Sequence, residues 1–295
     1  MRASVLFIVL IACASGACAP REAAAPVCPA IALGAEIEFP AGRVARGAAF
    51  EPEERDGGEG AVSAFAIDTH EVTNAQFAAF VAATGYVTLA ERPGPNGETM
   101  GAAVFNRDTG QWRIDANANW RQPDGAGSTA ADREPVVAVA LEDAEAYARW
   151  AGRRLPTETE WEWAARGEAP APADAGAEAF DAQGRPIANT WQGMFPFRDD
   201  GDDNYTGRAP VGCFPANARG LYDMIGNVWE WTATPFAGAM VEDVTRGGAV
   251  EARVLKGGSH LCARNFCSRF RSGSRQPGDP HLGMSHIGFR TVADR

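Results

Sequence analysis

The 295-residue chain is 45% hydrophobic and 22% charged, too apolar for a disordered polypeptide and long enough to bury a large core. Its 27 Lys and Arg stand against 38 Asp and Glu, a formal charge of -11, so no broad cationic face is available for nucleic acid or anionic lipid. The 33 Gly, 19 Pro and 8 Trp indicate a turn-rich fold pinned by large aromatic side chains.

Residues 1–12 read as an export signal: a cationic Met1-Arg2 start, then an apolar run from Val5 to Ala12 too short to span a bilayer. Leu10-Ile11-Ala12-Cys13 resembles a bacterial lipobox, with Cys13 as the lipidated residue; Ser15-Gly16-Ala17 before Cys18 offers a second cleavage register. Residues 13–30 read as an Ala- and Pro-rich tether, and 31–295 as one domain that is periplasmic or held at the membrane by lipid. Nothing later reaches 18 apolar residues.

From Ile31 to Phe65, apolar residues interleaved with Gly and Pro predict short strands. Thr73-Asn74-Ala75-Gln76 has capping-box spacing, with Gly85 placed to end the first helix. Leu141–Ala151 is the second helix, stopped by Gly152, and Pro156-Thr157-Glu158-Thr159-Glu160 caps a third over Trp161–Arg166 that ends at Gly167. Residues 94–134 and 168–184 lack a period and read as long surface connections. Val228–Thr232, Val254–Gly257 and Ile287–Val292 are β-like. The sum is a single α+β domain.

Two constellations carry chemistry. Cys262 and Cys267 follow a Gly257-Gly258-Ser259 turn among Arg264, Arg269 and Arg271, a positive field that favours thiolate. Spacing leaves a structural disulfide and a soft-metal or redox pair open; zinc is disfavoured for want of two further ligands, while copper(I) accepts two thiolates and leaves room for a third sulfur. The second constellation is acidic: Asp199-Asp200-Gly201-Asp202-Asp203-Asn204, with Asp223 and Glu230 flanking Gly226-Asn227-Val228-Trp229. It reads as a solvated loop or as hard oxygen ligands for calcium, without EF-hand spacing. His70 and Glu71 read as structural rather than as an acid–base pair. Nucleophile-elbow, phosphate-loop and dinucleotide motifs are absent from the sequence.

Several stretches together resemble the formylglycine-generating enzymes, or sulfatase-modifying factors: Asp68-Thr69-His70-Glu71-Val72-Thr73-Asn74, Asn119-Trp120-Arg121-Gln122-Pro123-Asp124-Gly125, Trp150 to Glu158 with Glu160-Trp161-Glu162, Gly220 to Trp231, and Gly288-Phe289-Arg290. The resemblance implies a C-type-lectin-like fold with little regular secondary structure. It also implies an O2-using oxidase in which Cys262 and Cys267 bind Cu(I), the client cysteine adds a third sulfur, and Ser259 and Trp229 flank the copper and oxygen site. The implied client is an unfolded or partly folded sulfatase segment of the type Cys-x-Pro-x-Arg, whose Arg an acidic surface suits, with a thiol reductant as co-reactant and the enzyme acting as a monomer.

Two structural Ca2+ sites map by the same resemblance onto Asn189, the Thr190 carbonyl, Asp203 and the Tyr205 carbonyl, and onto Asp223, the Gly226 and Val228 carbonyls and Glu230. Departures from the family pattern are Ala263 after the first cysteine, His281 and His286 in the substrate-side loop, and Ala148, Ala165, Ser272 and Thr291 where some members carry two disulfides. Two rivals share the fold: a non-catalytic binding module with Cys262 and Cys267 in a disulfide, and an iron-dependent sulfoxide synthase, whose companion His-bearing domain this chain lacks. Pairing of Cys28 with Cys213 stays open.

Overall fold

Alternation of Glu36, Ile37, Glu38 and Phe39 sends one face of the first strand inward and the other to solvent, the pattern of a half-buried strand. The computed structural model describes residues 28–295 apart from 48–49, 55–56, 95–96, 173, 175 and 244. The expected leader, 1–12, and most of the tether lie outside the described residues. In chain order, β1 (Glu36–Phe39), β2 (Gly42–Ala45), β3 (Glu59–Val62) and β4 (Phe65–Asp68) precede α1 (Asn74–Thr84). The hairpin β5 (Ala102–Asn106) and β6 (Gln111–Asp115) precedes α2 (Leu141–Trp150) and α3 (Glu158–Arg166). Then follow β7 (Trp229–Glu242), β8 (Ala249–Lys256), β9 (Gln276–Gly278), β10 (Ile287–Gly288) and β11 (Val292–Asp294).

The expected α+β class holds, with 14% helix and 26% strand. β4 lies between β1 and β11 in an antiparallel sheet, and a second sheet runs β10-β7-β8-β9 with only β10 parallel to its neighbour. Both expected capping boxes form: Thr73 with Gln76 on α1, and Thr157 with Glu160 on α3. Gly85, at φ 68°, closes α1 in the left-handed conformation that glycine adopts at no steric cost. At α2 the N-cap is Ala140, and Asp143 supplies the capping oxygen to its N–H at 2.8 Å.

Three expectations need correction. The stretch 94–134 contains β5 and β6, paired from Ala102 opposite Asp115 to Asn106 opposite Gln111. β7 runs ten residues beyond Thr232, because pairing with β8 through two register shifts extends a segment of weak intrinsic β-preference. Ile287–Val292 is two strands that join different sheets.

One core packs Phe77, Tyr147, Trp229, Trp231, Phe270 and Phe289 together with Cys262; another gathers Phe39, Phe65, Ile67, Trp161 and Val292. Charged side chains are buried beside them. Lys256 and Glu162 meet at 2.7 Å, and Arg290 grips Glu230 through both carboxylate oxygens at 2.8 Å. Cys28 and Cys213 form a disulfide.

Arg271 and Glu54, each fully buried, pair at 2.6 Å, with Ser274 donating to the same carboxylate. Removing one member of a buried pair strands the other's charge, so Arg271→Met should cost about 3–5 kcal/mol in urea unfolding. Adding Glu54→Gln should recover part of that loss; a single variant as stable as wild type would show the pair to be dispensable.

Candidate functional site

β8 ends at Lys256, and the chain turns through Gly257 (φ 93°) and Gly258 (φ 80°) into the strap 259–267. A Cβ on Gly258 would fall 2.7 Å from the Phe270 Cα, so both dihedral freedom and space require glycine there. The strap is then fixed from two sides. The Asn227 carbonyl accepts from the His260 N–H and from its ring Nδ1, both at 2.9 Å, and the Cys262 carbonyl accepts from the Trp191 N–H at 3.0 Å. Ser259, fully buried, receives the Cys262 N–H on its carbonyl and the Leu261 N–H on its hydroxyl.

This geometry brings the two strap sulfurs within 3.1 Å of one another as free thiols. Cys262 is buried and Cys267 partly exposed. The positive field expected from three arginines reduces to one. Arg264 stacks on Phe180 at 4.1 Å, Arg271 is spent on Glu54, and only Arg269, which also bonds Glu53, acts on Cys267. The Cys262 contact, with help from Arg269, pulls the Cys267 thiol down to about 6, against the opposing effect of burial. Burial, followed by the hydrogen bond and then the charge of neighbouring Cys267, pushes Cys262 well above the ordinary thiol range, with Ser259 opposing. At neutral pH the pair therefore holds a thiolate at the surface and a thiol beneath it.

Trp229 is buried in the core cluster that contains Cys262, and its N–H is received by the His286 carbonyl at 2.9 Å. A cavity of about 380 Å³ opens beside the strap, lined by His260, Leu261, Phe105, Arg107, Arg208 and Ser285. His260 donates from Nδ1 to a carbonyl, so Nε2 is its acceptor. Burial, with Arg107 and Arg208 nearby, keeps the ring neutral. Burial takes His286 down to about 3, and its ring packs on Trp112 at 4.6 Å. His281 stands apart, bonded through Nδ1 to Asp243 at 2.7 Å and through Nε2 to Arg246 at 2.8 Å.

The acidic residues separate into a loop and a buried network. Asp203 accepts from the Thr190 and Tyr205 N–H groups and from Gln192 Nε2, which also donates to the Thr190 carbonyl. These bonds bring together all the residues of the first expected cation set, Asn189 being next to Thr190. No Lys or Arg pairs with Asp203 among the described residues, and burial raises its carboxyl. Asp223, Gly226 and Val228 lie on the loop that runs into Glu230 at the start of β7, and Asp223, Gly226 and Asn227 all adopt positive φ. Burial pushes Asp223 up to about 6, its Oδ2 accepts from the Gly212 N–H at 2.7 Å, and Glu230 is tied to Arg290 and to Trp161 Nε1.

Asn227 is the functional position that sequence reasoning missed. Its side chain bonds Asn189, Glu71 and both main-chain groups of Ala209, while its carbonyl fixes His260. The Gly-Asn pair between two acidic residues is the signal, since Asn tolerates the left-handed conformation seen here at φ 54°.

The model of the sulfatase-modifying factor enzyme 1-like domain matches residues 24–295. The chain belongs to the sulfatase-modifying factor family. Within that family it is 46% identical to the formylglycine-generating enzyme of Mycobacterium tuberculosis, over 88% of this chain and 97% of that one. It is 36% identical to the inactive C-alpha-formylglycine-generating enzyme 2 of Mus musculus, over 90% and 89% of the two chains. Among solved structures it resembles PvdO from Pseudomonas aeruginosa, with a TM-score of 0.60, 27% identity and coverage of 88% and 94%. The family fold is therefore the one expected, and because the family includes a relative named inactive, the fold alone does not establish activity.

The asymmetry of the pair is directly measurable. In reduced, metal-free protein, iodoacetamide should label Cys267 at a rate that rises through a midpoint near pH 6, since the thiolate forms above that value. Cys262 should stay unlabelled at neutral pH. Peptide mass spectrometry showing equal labelling, or a midpoint in the ordinary thiol range, would contradict the asymmetry.

Proposed function

We propose that this protein is a formylglycine-generating oxidase, converting the cysteine of a sulfatase-type Cys-x-Pro-x-Arg segment to Cα-formylglycine with O2, Cu(I) and a thiol reductant. One observation carries the reading: two unbonded sulfurs 3.1 Å apart, one buried and one reaching the surface. A pair of soft thiolates suits copper(I), and when bound the metal supplies the one-electron and oxygen chemistry that side chains lack.

The chain's own residues supply the rest. Cys267 presents a thiolate at neutral pH, so a ligand is ready without a base. Cys262, anchored through its N–H to Ser259 and its carbonyl to Trp191, keeps its sulfur at a fixed place beneath. Trp229 walls the site with apolar surface and limits water. In net terms the client's CH2–SH becomes an aldehyde and its sulfur leaves as sulfide. O2 takes two electrons and two protons from the client and two of each from the reductant to become two waters, and hydrolysis of the oxidised carbon–sulfur bond supplies the aldehyde oxygen as the sulfide leaves.

Calcium fits the two acidic sets as a clamp on the fold. Asp203 is buried without a countercharge among the described residues, and its neighbours offer amide and main-chain oxygens, the hard donors that calcium selects. The protein is further proposed to work outside the cytoplasm, tethered by lipid at Cys13. The Cys28–Cys213 disulfide supports an oxidising compartment.

Incubation of a synthetic Cys-x-Pro-x-Arg peptide with the purified protein, copper, O2 and reductant should give the aldehyde by mass spectrometry. Cys262→Ser and Cys267→Ser should each abolish turnover, because one thiolate cannot hold the metal. Turnover by the double variant would overturn the chemistry; an irreducible disulfide with no copper uptake would establish the binding module instead. For the clamp, calcium at 100 times Kd stabilises the native state by about 2.7 kcal/mol per site. Chelation should therefore lower the Tm by several degrees, and an unchanged melting curve with no calcium by elemental analysis would remove it.

A further inference from the structure

Glu71 has no role in the site so far, yet its carboxylate carries no exposed surface and its Oε2 has no hydrogen-bond partner among the described residues. The other oxygen accepts from Asn227 Nδ2 at 3.1 Å, which sets the carboxylate against the loop that carries Asp223 and Glu230. Both of those acids, and Arg290, lie within electrostatic reach of it. The charges do not cancel. Arg290 meets both oxygens of Glu230, making a neutral pair, so Glu71 and Asp223 are left, among the described residues, as two buried carboxylates without a cation of their own. Asp223 takes one N–H bond, from Gly212, on Oδ2. An orphaned buried carboxylate oxygen is costly unless something pairs with it.

We propose that Glu71 is a ligand of the divalent cation held by the 223–230 loop, its Oε2 joining Asp223 so that two buried negative charges meet one doubly positive ion. The assignment rests on the calcium reading above and adds a donor from outside the loop, at the entry to α1. It also accounts for the chain running Glu71 into a wholly buried position two residues before a helix cap. Asn227 then acts as a positioning residue, holding Oε1 so that Oε2 faces the ion.

Glu71→Gln separates a ligand from a merely neutral acid. Glutamine keeps an oxygen for the Asn227 amide and has the shape of protonated glutamic acid, but it brings no charge to an ion. In isothermal titration of calcium into chelator-treated full-length protein, the wild type should take up two ions. Glu71→Gln should keep one of them and lose about tenfold or more in affinity for the other, as ligand charge sets calcium affinity. In chelator its Tm should equal or exceed that of the wild type, because a stranded carboxylate has gone, while the increment on adding calcium should shrink.

Two ions bound with unchanged affinity by Glu71→Gln would overturn the assignment and leave the calcium clamp standing. A wild type that binds no calcium would overturn both. A crystal of the full chain grown with calcium tests the point without a variant: a Glu71 oxygen should lie about 2.3–2.6 Å from the ion, and an ion on Asp223 with Glu71 out of reach would refute it.

Discussion

Arg290 has no exposed surface, and three parts of the chain meet on its guanidinium. It donates to both oxygens of Glu230 at the start of β7, to the Asp68 carbonyl at the end of β4 and to the Tyr222 carbonyl in the loop between. Trp161 of α3 donates to the same carboxylate. A buried cation whose bonds all run to fixed acceptors cannot shift without stranding charge, so the three-stranded sheet, the third helix and the head of β7 share one relative placement. The strap inherits that placement. The Gly226 N–H donates to the Gly257 carbonyl, and Asn227 receives His260, so the loop that Arg290 fixes is the wall against which the thiols are laid.

Individual pairings, rather than the number of arginines nearby, then decide the electrostatics of the pair. Of the three arginines that follow the Gly-Gly turn, one lies on an aromatic face, one neutralises a buried glutamate, and one is left to favour the outer thiolate. The two sulfurs consequently differ in proton affinity although five residues apart on one strap. An inner thiol that keeps its proton and an outer one that gives it up make a pair whose thiolate lies on the solvent side.

Much of this was legible in the chain because local rules and tertiary structure agree. Thr73 with Gln76, Thr157 with Glu160, and Gly85 are caps whose function depends only on neighbours a few residues away. The Gly257-Gly258 turn before the cysteines is read from the same logic. What could not be read depends on distant partners. β5 is buried up to Asn106 while β6 is mostly exposed, so neither shows alternation and the hairpin looks like loop. The outer half of β7 exists because β8 is there to pair with it. Glu162, Lys256, Arg271 and Arg290 sit where composition rules place apolar residues, and Glu71 reads as merely structural because nothing in a sequence marks a buried carboxylate with an unbonded oxygen.

The same dependence explains how the acidic loops bear on the strap thiols, although they lie apart from them. Asn227 holds Asn189 of the first cation set and Glu71 beside the second with its side chain, and His260 of the strap with its carbonyl. Its left-handed backbone at φ 54° is what lets the two ends face opposite ways. A residue in that conformation persists only where its surroundings over-determine it, and here the surroundings are the acidic loops themselves. Charge held in those loops thus fixes a peptide plane, the plane fixes the His260 ring and main chain, and two residues later the chain delivers Cys262. The chemistry proposed for the sulfurs needs a ligand that does not wander, and the acidic loops hold it still through one amide.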